Sequence, residues 1–158
     1  MSTRTSAAFL AGILICGLPS GSVLAAEVDV ELVLSADVSH SMNRDEQRLQ
    51  RDGYVAAFRH PELIGAILSG PRGKIAVTYV EWAGSAEQSV VVPWMILGDR
   101  MSVEDFANRL AAAPKRSRGS RTSVSSGLLF AARQFPLSGA QSLRKTIDVS
   151  GDGMSRRP

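Results

Sequence analysis

The pattern of apolar and polar positions predicts an α/β protein built around one buried strand. From Val28 onward, apolar and acidic residues alternate, and the run then stays apolar as far as Leu34. A strand that becomes apolar on both sides is typical of the interior of a parallel sheet covered by helices on two faces. We therefore predict a central strand over residues 28–34, near the start of the folded domain.

Two helical segments and a strand hairpin follow the central strand. Residues 43–68 are rich in helix-forming side chains, but Pro61 must end or interrupt the helix, because proline disfavours helical geometry in the residue before it. Residues 74–82 and 87–96 have the composition of two strands, and the short connection between them makes them antiparallel neighbours. Pro93 has no backbone N–H to donate, which places the second strand at the edge of the sheet.

A third helix is predicted in the middle of the chain. Ser102, with Asp105 three residues later, has the pattern of a helix start, since serine is a favoured N-cap residue. Pro114 ends this helix. The basic stretch over residues 115–121 that follows is predicted to be a solvated loop.

The last predicted elements are a helix and a strand. The helix has Thr122 at or near its first turn, and its inner face is predicted from the helical spacing of Val124, Leu128, Ala131 and Phe135. Residues 144–150 form the final strand. The order strand, helices, hairpin, helices, strand is that of an α/β layer fold.

Residues 1–25 have the pattern of a secretory signal peptide. Arg4 precedes an apolar run over residues 7–18, and small residues lead to Ala25. This run of about a dozen residues is shorter than the roughly 20 that a membrane-spanning helix needs. We therefore expect cleavage after Ala25 or Ala26, a periplasmic or secreted product, and no stable membrane insertion after cleavage.

Composition narrows the class of the mature protein. About 130 residues remain after cleavage, enough for one domain with its own core, and 44% hydrophobic with 21% charged residues is typical of a soluble globular protein. The formal charge of +3 falls to +2 without Arg4, an excess too small to indicate nucleic-acid binding. Cys16, the only cysteine, leaves with the signal peptide, which excludes disulfide and thiol chemistry in the product.

Five oxygen-bearing residues stand next to the ends of the predicted elements. Asp37, Ser39 and Ser41 follow the central strand, Thr122 opens a helix, and Asp152 follows the last strand. In open α/β sheets ligands bind beyond the carboxyl ends of the strands. Hard oxygen donors, with no cluster of Cys or His, suit Mg²⁺ or Mn²⁺ better than Zn²⁺. The alternative interpretation is a helix-capping turn, because Asp and Ser are favoured caps in any protein.

The pattern Asp-x-Ser-x-Ser, followed by a distant Thr and a distant Asp, resembles the metal-ion-dependent adhesion site of von Willebrand factor type A domains. The resemblance covers roughly residues 28–153. Residues 81–84, 93–94 and 147–153 also resemble an exported bacterial family of unknown function with this fold. The resemblance implies a doubly wound, mostly parallel, Rossmann-like sheet with one antiparallel edge strand. It also implies that residues 27–158 form a partial domain, incomplete at the C-terminus.

The resemblance further implies how the metal would be held. The two serines, and in some states Thr122, would contact the ion directly, whereas Asp37 and Asp152 would act largely through water. An acidic group of a protein partner would then complete the coordination. The predicted function is an exported, divalent-metal-dependent, protein-binding module of the adhesion type.

No catalytic residue is predicted. The sequence lacks the G-x-G-x-x-G, G-x-x-x-x-G-K-[ST] and G-x-S-x-G motifs of nucleotide-binding proteins and of hydrolases. Two alternatives stay open. One is a metal-dependent hydrolase or phosphatase, because bound Mg²⁺ can polarise a phosphate. The other is an inactive truncated fragment, since the sequence stops at Pro158, soon after Asp152.

Overall fold

The computed structural model describes residues 25–39, 42–84, 86–114 and 122–151. The α-helices in these residues are α1 (Arg44–Arg59), α2 (Pro61–Leu68), α3 (Arg100–Ala112) and α4 (Val124–Ala132), and a short 3₁₀ helix covers Phe135–Leu137. The strands are β1 (Ala26–Glu27), β2 (Val30–Asp37), β3 (Ile75–Trp82), β4 (Gln88–Leu97), β5 (Ala140–Gln141) and β6 (Lys145–Ser150). Residues 1–24, which make up most of the predicted signal peptide, and the basic stretch 115–121 lie outside the described residues.

The main sheet has the strand order β4, β3, β2, β6. Strand β2 pairs in parallel with β3 on one side and with β6 on the other, and β3 pairs with β4 in antiparallel fashion. The predicted central strand, the antiparallel hairpin and the edge position of the strand that contains Pro93 are therefore confirmed. A second, two-stranded parallel sheet joins β1 to β5, which the sequence analysis did not predict.

Helices cover both faces of the main sheet, as in a doubly wound fold. Along β2, Leu34 and Ala36 belong to a core shared with α1, α2 and α3, whereas Val33 belongs to a second core shared with α4. Successive side chains of a strand point to opposite faces, so β2 contributes to both cores. All eight residues of β3 are buried, which fits a strand enclosed by other elements on every side.

Proline separates α1 from α2, as predicted. His60 has extended backbone geometry and serves as both the C-cap of α1 and the N-cap of α2, where its side chain accepts a hydrogen bond from the Glu62 N–H. Pro61 then occupies the first helical position, where its missing N–H costs nothing. Among the described residues, the structure contains no helix with the length and hydropathy of a membrane span.

The predicted start of α3 at Ser102 is wrong by three residues. Asp99 is the N-cap: its Oδ1 accepts a hydrogen bond from the Ser102 N–H at 2.7 Å, and the Ser102 Oγ accepts one from the Asp99 N–H at 3.1 Å. Both residues are good caps, and their reciprocal bonds form a capping box in which the earlier one is the N-cap. Pro114 follows the C-cap Ala113, as expected.

The predicted inner face of α4 is also partly wrong. Val124 and Leu128 are 36% and 45% exposed, whereas Gly127 and Ala131 are buried. The reason is a close approach between helix and sheet: a Cβ atom added to Gly127 would lie 2.5 Å from Cε2 and 2.7 Å from Cγ of Trp82. The helix therefore turns its smallest residue to the sheet, where the indole needs the space.

We expect Gly127→Ala to destabilise the fold by about 1–3 kcal/mol, because Trp82 is fully buried and cannot move aside without strain. Gly65→Ala in α2 is the matched control, since a Cβ there meets nothing within 4 Å, and alanine should stabilise a helix by up to about 1 kcal/mol. Urea denaturation measures both changes. Equal stabilisation by the two substitutions would contradict the close approach.

Candidate functional site

The candidate site lies at the carboxyl edge of the parallel strands. Asp37 is the last residue of β2 and pairs in register with Trp82, the last residue of β3, while Ala36 pairs with Ser150 at the end of β6. Parallel pairing on both sides thus brings three strand ends to one place. Asp37 and Ser39 are both buried there.

Three of the five predicted residues meet at this edge. The Ser39 N–H donates to Asp37 Oδ1 at 2.8 Å, and Thr122 Oγ1 donates to Ser39 Oγ at 2.6 Å. Thr122 is held there because the next residue, Ser123, is the N-cap of α4 and its N–H donates to the Ala83 carbonyl at 3.1 Å. The end of β2 and the start of α4, 83 residues apart, are therefore joined through two hydroxyl groups.

The end of β6 packs closely against Asp37. A Cβ atom added to Gly151 would lie 2.8 Å from Cβ and 3.3 Å from Oδ2 of Asp37, so only a glycine fits without displacement. Ser41 and Asp152, the other two predicted residues, lie outside the described residues. The described neighbours of both, Met42 and Gly151, flank the same edge.

The donor set at this edge fits a hard cation better than a soft one. Asp37, Ser39 and Thr122 offer one carboxylate and two hydroxyls, and oxygen ligands are those that Mg²⁺ and Mn²⁺ prefer. Within the described part of the chain, no group of three or more His, Cys, Asp or Glu could hold a metal. A metal at this edge would therefore depend on hydroxyl oxygens, and Asp37 would supply its negative charge among the described residues.

The turn after Asp37 is fixed by a residue that the sequence analysis missed. Gln47 in α1 places its Nε2 within 3.2 Å of the Val38 carbonyl, 3.3 Å of the Ser39 carbonyl and 3.1 Å of the Met42 carbonyl. One side-chain amide thus gathers three carbonyl groups of the turn. These contacts depend on how α1 packs beside the turn. The spacing of residues in the sequence therefore could not predict them.

A buried ion pair behind the site was missed as well. Arg51 and Glu81 are 4% and 1% exposed, Arg51 Nη2 donates to Glu81 Oε1, and Arg51 Nη1 donates to the Ala113 carbonyl at 2.7 Å. Glu81 pairs in register with Ala36, one residue before Asp37. The pair therefore ties α1 and the end of α3 to the strand ends that form the site. In the sequence, the indication of this ion pair was Glu81, a glutamate within a largely apolar strand.

Removing one member of the Arg51–Glu81 pair should lower the free energy of unfolding far more than removing both. We expect Arg51→Met to destabilise the protein by about 3–5 kcal/mol, because Glu81 would keep a buried charge with no cation, and the double variant with Glu81→Leu to recover much of that loss. Chemical denaturation measures the coupling. As a control, Arg109→Met breaks the exposed pair with Asp105 and should cost less than about 1 kcal/mol. Additive losses at positions 51 and 81 would show that the pair contributes no coupling.

Both tyrosines of the sequence lie on the α1 side of the sheet. Tyr54 Oη is 2.9 Å from Asp148 Oδ2 and 2.9 Å from Ser150 Oγ, and its ring packs edge-on against Tyr79. Burial raises the pKa of Tyr54 to about 12. Burial, and next the negative charge of Glu81, raise the pKa of Tyr79 above its ordinary value. The folded state therefore favours both neutral phenols.

This preference gives a testable pH dependence. The stability that the neutral phenols contribute should be complete below the ordinary tyrosine pKa of 10.0, and for Tyr54 it should be lost as the pH rises through about 12. Phenolate absorbance should therefore stay low in the folded protein at pH 10 and rise near pH 10 in denaturant. A folded-state midpoint near 10 would contradict the burial of the phenols, and Tyr54→Phe assigns the signal.

The comparisons with known proteins agree with the fold. The family described as protein of unknown function (DUF1194) matches residues 27–157. A search of curated proteins found no significant match. Several solved structures match, and their identities of 16–19% bear on the fold alone.

Three of these structures illustrate the fold. The pilus adhesin SpaC from Lactobacillus rhamnosus GG, in its open conformation, is 19% identical with a TM-score of 0.55, over 81% of this chain and 15% of that one. Proximal thread matrix protein 1 from the mussel byssus is 16% identical with a TM-score of 0.59, over 84% and 33%. The vWF domain of the type V pili tip protein Mfa5 from Porphyromonas gingivalis is 18% identical with a TM-score of 0.51, over 81% and 39%.

The chain thus spans between 15% and 39% of these three matched chains. What it shares with them is an α/β domain with a mostly parallel sheet, and the fold is that of a von Willebrand factor type A-like domain.

Proposed function

This chain belongs to the family described as protein of unknown function (DUF1194), and we propose that it is an exported module that binds a protein partner through a divalent metal ion. The observation that carries the proposal is the convergence of Asp37, Ser39 and Thr122 at one sheet edge, with a hydroxyl-to-hydroxyl hydrogen bond of 2.6 Å between Thr122 and Ser39. A capping turn alone would need no hydroxyl from the start of a distant helix.

Each residue of the site has a proposed role. Ser39, Ser41 and Thr122 contribute neutral hydroxyl oxygens to Mg²⁺ or Mn²⁺, and Asp37 and Asp152 hold the ion largely through water. When bound, the ion supplies a positive charge that can accept an oxygen ligand from outside the chain. Because three of the proposed ligands are neutral, much of that charge is left for a partner carboxylate.

The fold comparisons support a binding module. Two of the similar structures belong to a pilus adhesin and a pilus tip protein. We propose accordingly that this chain works outside the cytoplasm, in the periplasm or as a secreted protein, and that its ligand is an acidic group of another protein. Its own residues would bind and orient that ligand without changing it chemically.

Metal binding is the direct test. We expect Mg²⁺ and Mn²⁺ to bind with measurable heat in calorimetry, and Asp37→Ala to abolish the signal, because Asp37 is the carboxylate among the three described site residues. Asp105→Ala is the matched control, since it removes an exposed carboxylate that pairs only with Arg109 in the described structure. Circular dichroism establishes whether each variant is folded. Thr122→Val, which keeps the side-chain shape and removes the hydroxyl, provides a second variant that should weaken binding.

Two results would overturn the proposal. Absence of binding at millimolar concentrations of both ions would leave the Asp-Ser turn as a helix cap only. Equal affinity of the parent and a folded Asp37→Ala variant would place any bound ion elsewhere. A Mg²⁺-dependent phosphatase assay on the same preparation should show no turnover, and turnover that disappears with Asp37→Ala would favour the hydrolase instead.

A further inference from the structure

A groove of about 450 Å³ opens between α1 and the end of β6. We call it the α1–β6 groove, and its lining residues are Met42, Glu46, Leu49, Gln50, Gly53, Ser150 and Gly151. Its volume lies within the range of about 300–1,000 Å³ that ligand pockets have. The groove is open to solvent along its length and lined mainly by apolar atoms.

The groove begins where the candidate metal site ends. Gly151 lies at its β6 side and touches Asp37, where an added Cβ would be 2.8 Å from the Asp37 Cβ. Met42 lies at its α1 side, and its N–H donates to the Ser39 carbonyl at 3.1 Å. A segment that placed one residue at the site would therefore place a neighbouring residue over the groove.

Two polar side chains that line the groove make hydrogen bonds within the protein, although Gln50 Oε1 is buried with no hydrogen-bond partner in the described structure. Glu46 Oε2 accepts the Asn43 N–H at 2.8 Å in the capping box of α1, and Gln50 Nε2 donates to Ser150 Oγ at 2.8 Å. Most of the surface that the groove offers a ligand is nevertheless apolar. Leu49 is 73% exposed, and no atom lies within 4 Å of the position of a Cβ at Gly53.

We propose that the α1–β6 groove receives an apolar side chain of the partner, next to the acidic residue that the metal site binds. This inference rests on the proposed function and specifies the partner: an acidic residue with a large aliphatic or aromatic neighbour. Glu46 at the rim repels a second acidic residue, and the mainly apolar lining favours an aliphatic or aromatic side chain. The exposed side of Leu49 gains most from such a contact, since its apolar area would leave water.

The test compares two peptides with the full chain in saturating Mg²⁺, by nuclear magnetic resonance titration. The probes are acetylated tripeptide amides, Leu-Asp-Leu and Ala-Asp-Ala. Because the two residues that flank Asp are identical, the groove meets the same side chain whichever way the peptide runs. We expect the leucine peptide to bind at least about threefold more tightly, as partial burial of one aliphatic side chain allows. Gly53→Leu, which fills the groove, should remove the preference. Gly65→Leu adds the same side chain at an open helix position of α2 and should retain it.

Mg²⁺ calorimetry on the same three proteins separates this inference from the proposed function. Unchanged Mg²⁺ affinity with equal binding of both peptides would overturn the groove and leave the metal site standing. A preference that survives Gly53→Leu would also overturn it. Failure of the parent to bind Mg²⁺ would defeat the proposed function and the groove together.

Discussion

The parallel register of β2 between β3 and β6 is the constraint on which the rest of the structure depends. Strand β2 is hydrogen-bonded on both sides, and its alternating side chains serve two cores. A slip of one residue would exchange those faces. Asp37 and Val33 point to the same face of β2, the α4 side. After such a slip, Asp37 would point to the α1 side, away from Thr122. The register therefore fixes both the packing and the position of the candidate site.

Helix α1 connects that register to the surface. Its Arg51 reaches a buried carboxylate on β3, its Gln47 gathers three carbonyl groups of the turn after Asp37, and its Leu49 side faces solvent beside β6. A buried ion pair is weak evidence for stability, since desolvation opposes the attraction. Its directional bonds do, however, allow few positions of α1. The turn and the α1–β6 groove thus share one rigid support.

How far the sequence predicts the structure depends on the range of the interactions. The central strand, the antiparallel hairpin and the break at Pro61 follow from local geometry and were predicted correctly. The start of α3 was misplaced because Asp99 and Ser102 are both capping residues, and only their reciprocal bonds show which comes first. The face of α4 depends on contact with Trp82, 45 residues before Gly127 in the sequence, and Arg51 and Glu81 are 30 residues apart. The spacing of hydrophobic residues along the sequence gives no information about contacts between such distant residues.

The three described candidate residues, Asp37, Ser39 and Thr122, lie together because their arrangement follows from topology. Parallel strands end at one edge, so Asp37 and the residues after β6 had to be near each other, and a helix that begins at the same edge adds its hydroxyl. On the proposed function, the metal site and the α1–β6 groove then select a partner by different physics. The ion attracts a carboxylate, an interaction that salt screens when the partner charge stays exposed to water. Binding in the groove would remove apolar surface of both partners from water, and moderate salt barely affects this contribution to binding. A partner that satisfied only one of the two would bind weakly, and discrimination therefore comes from the fixed separation between the metal site at the end of β2 and the groove between α1 and β6.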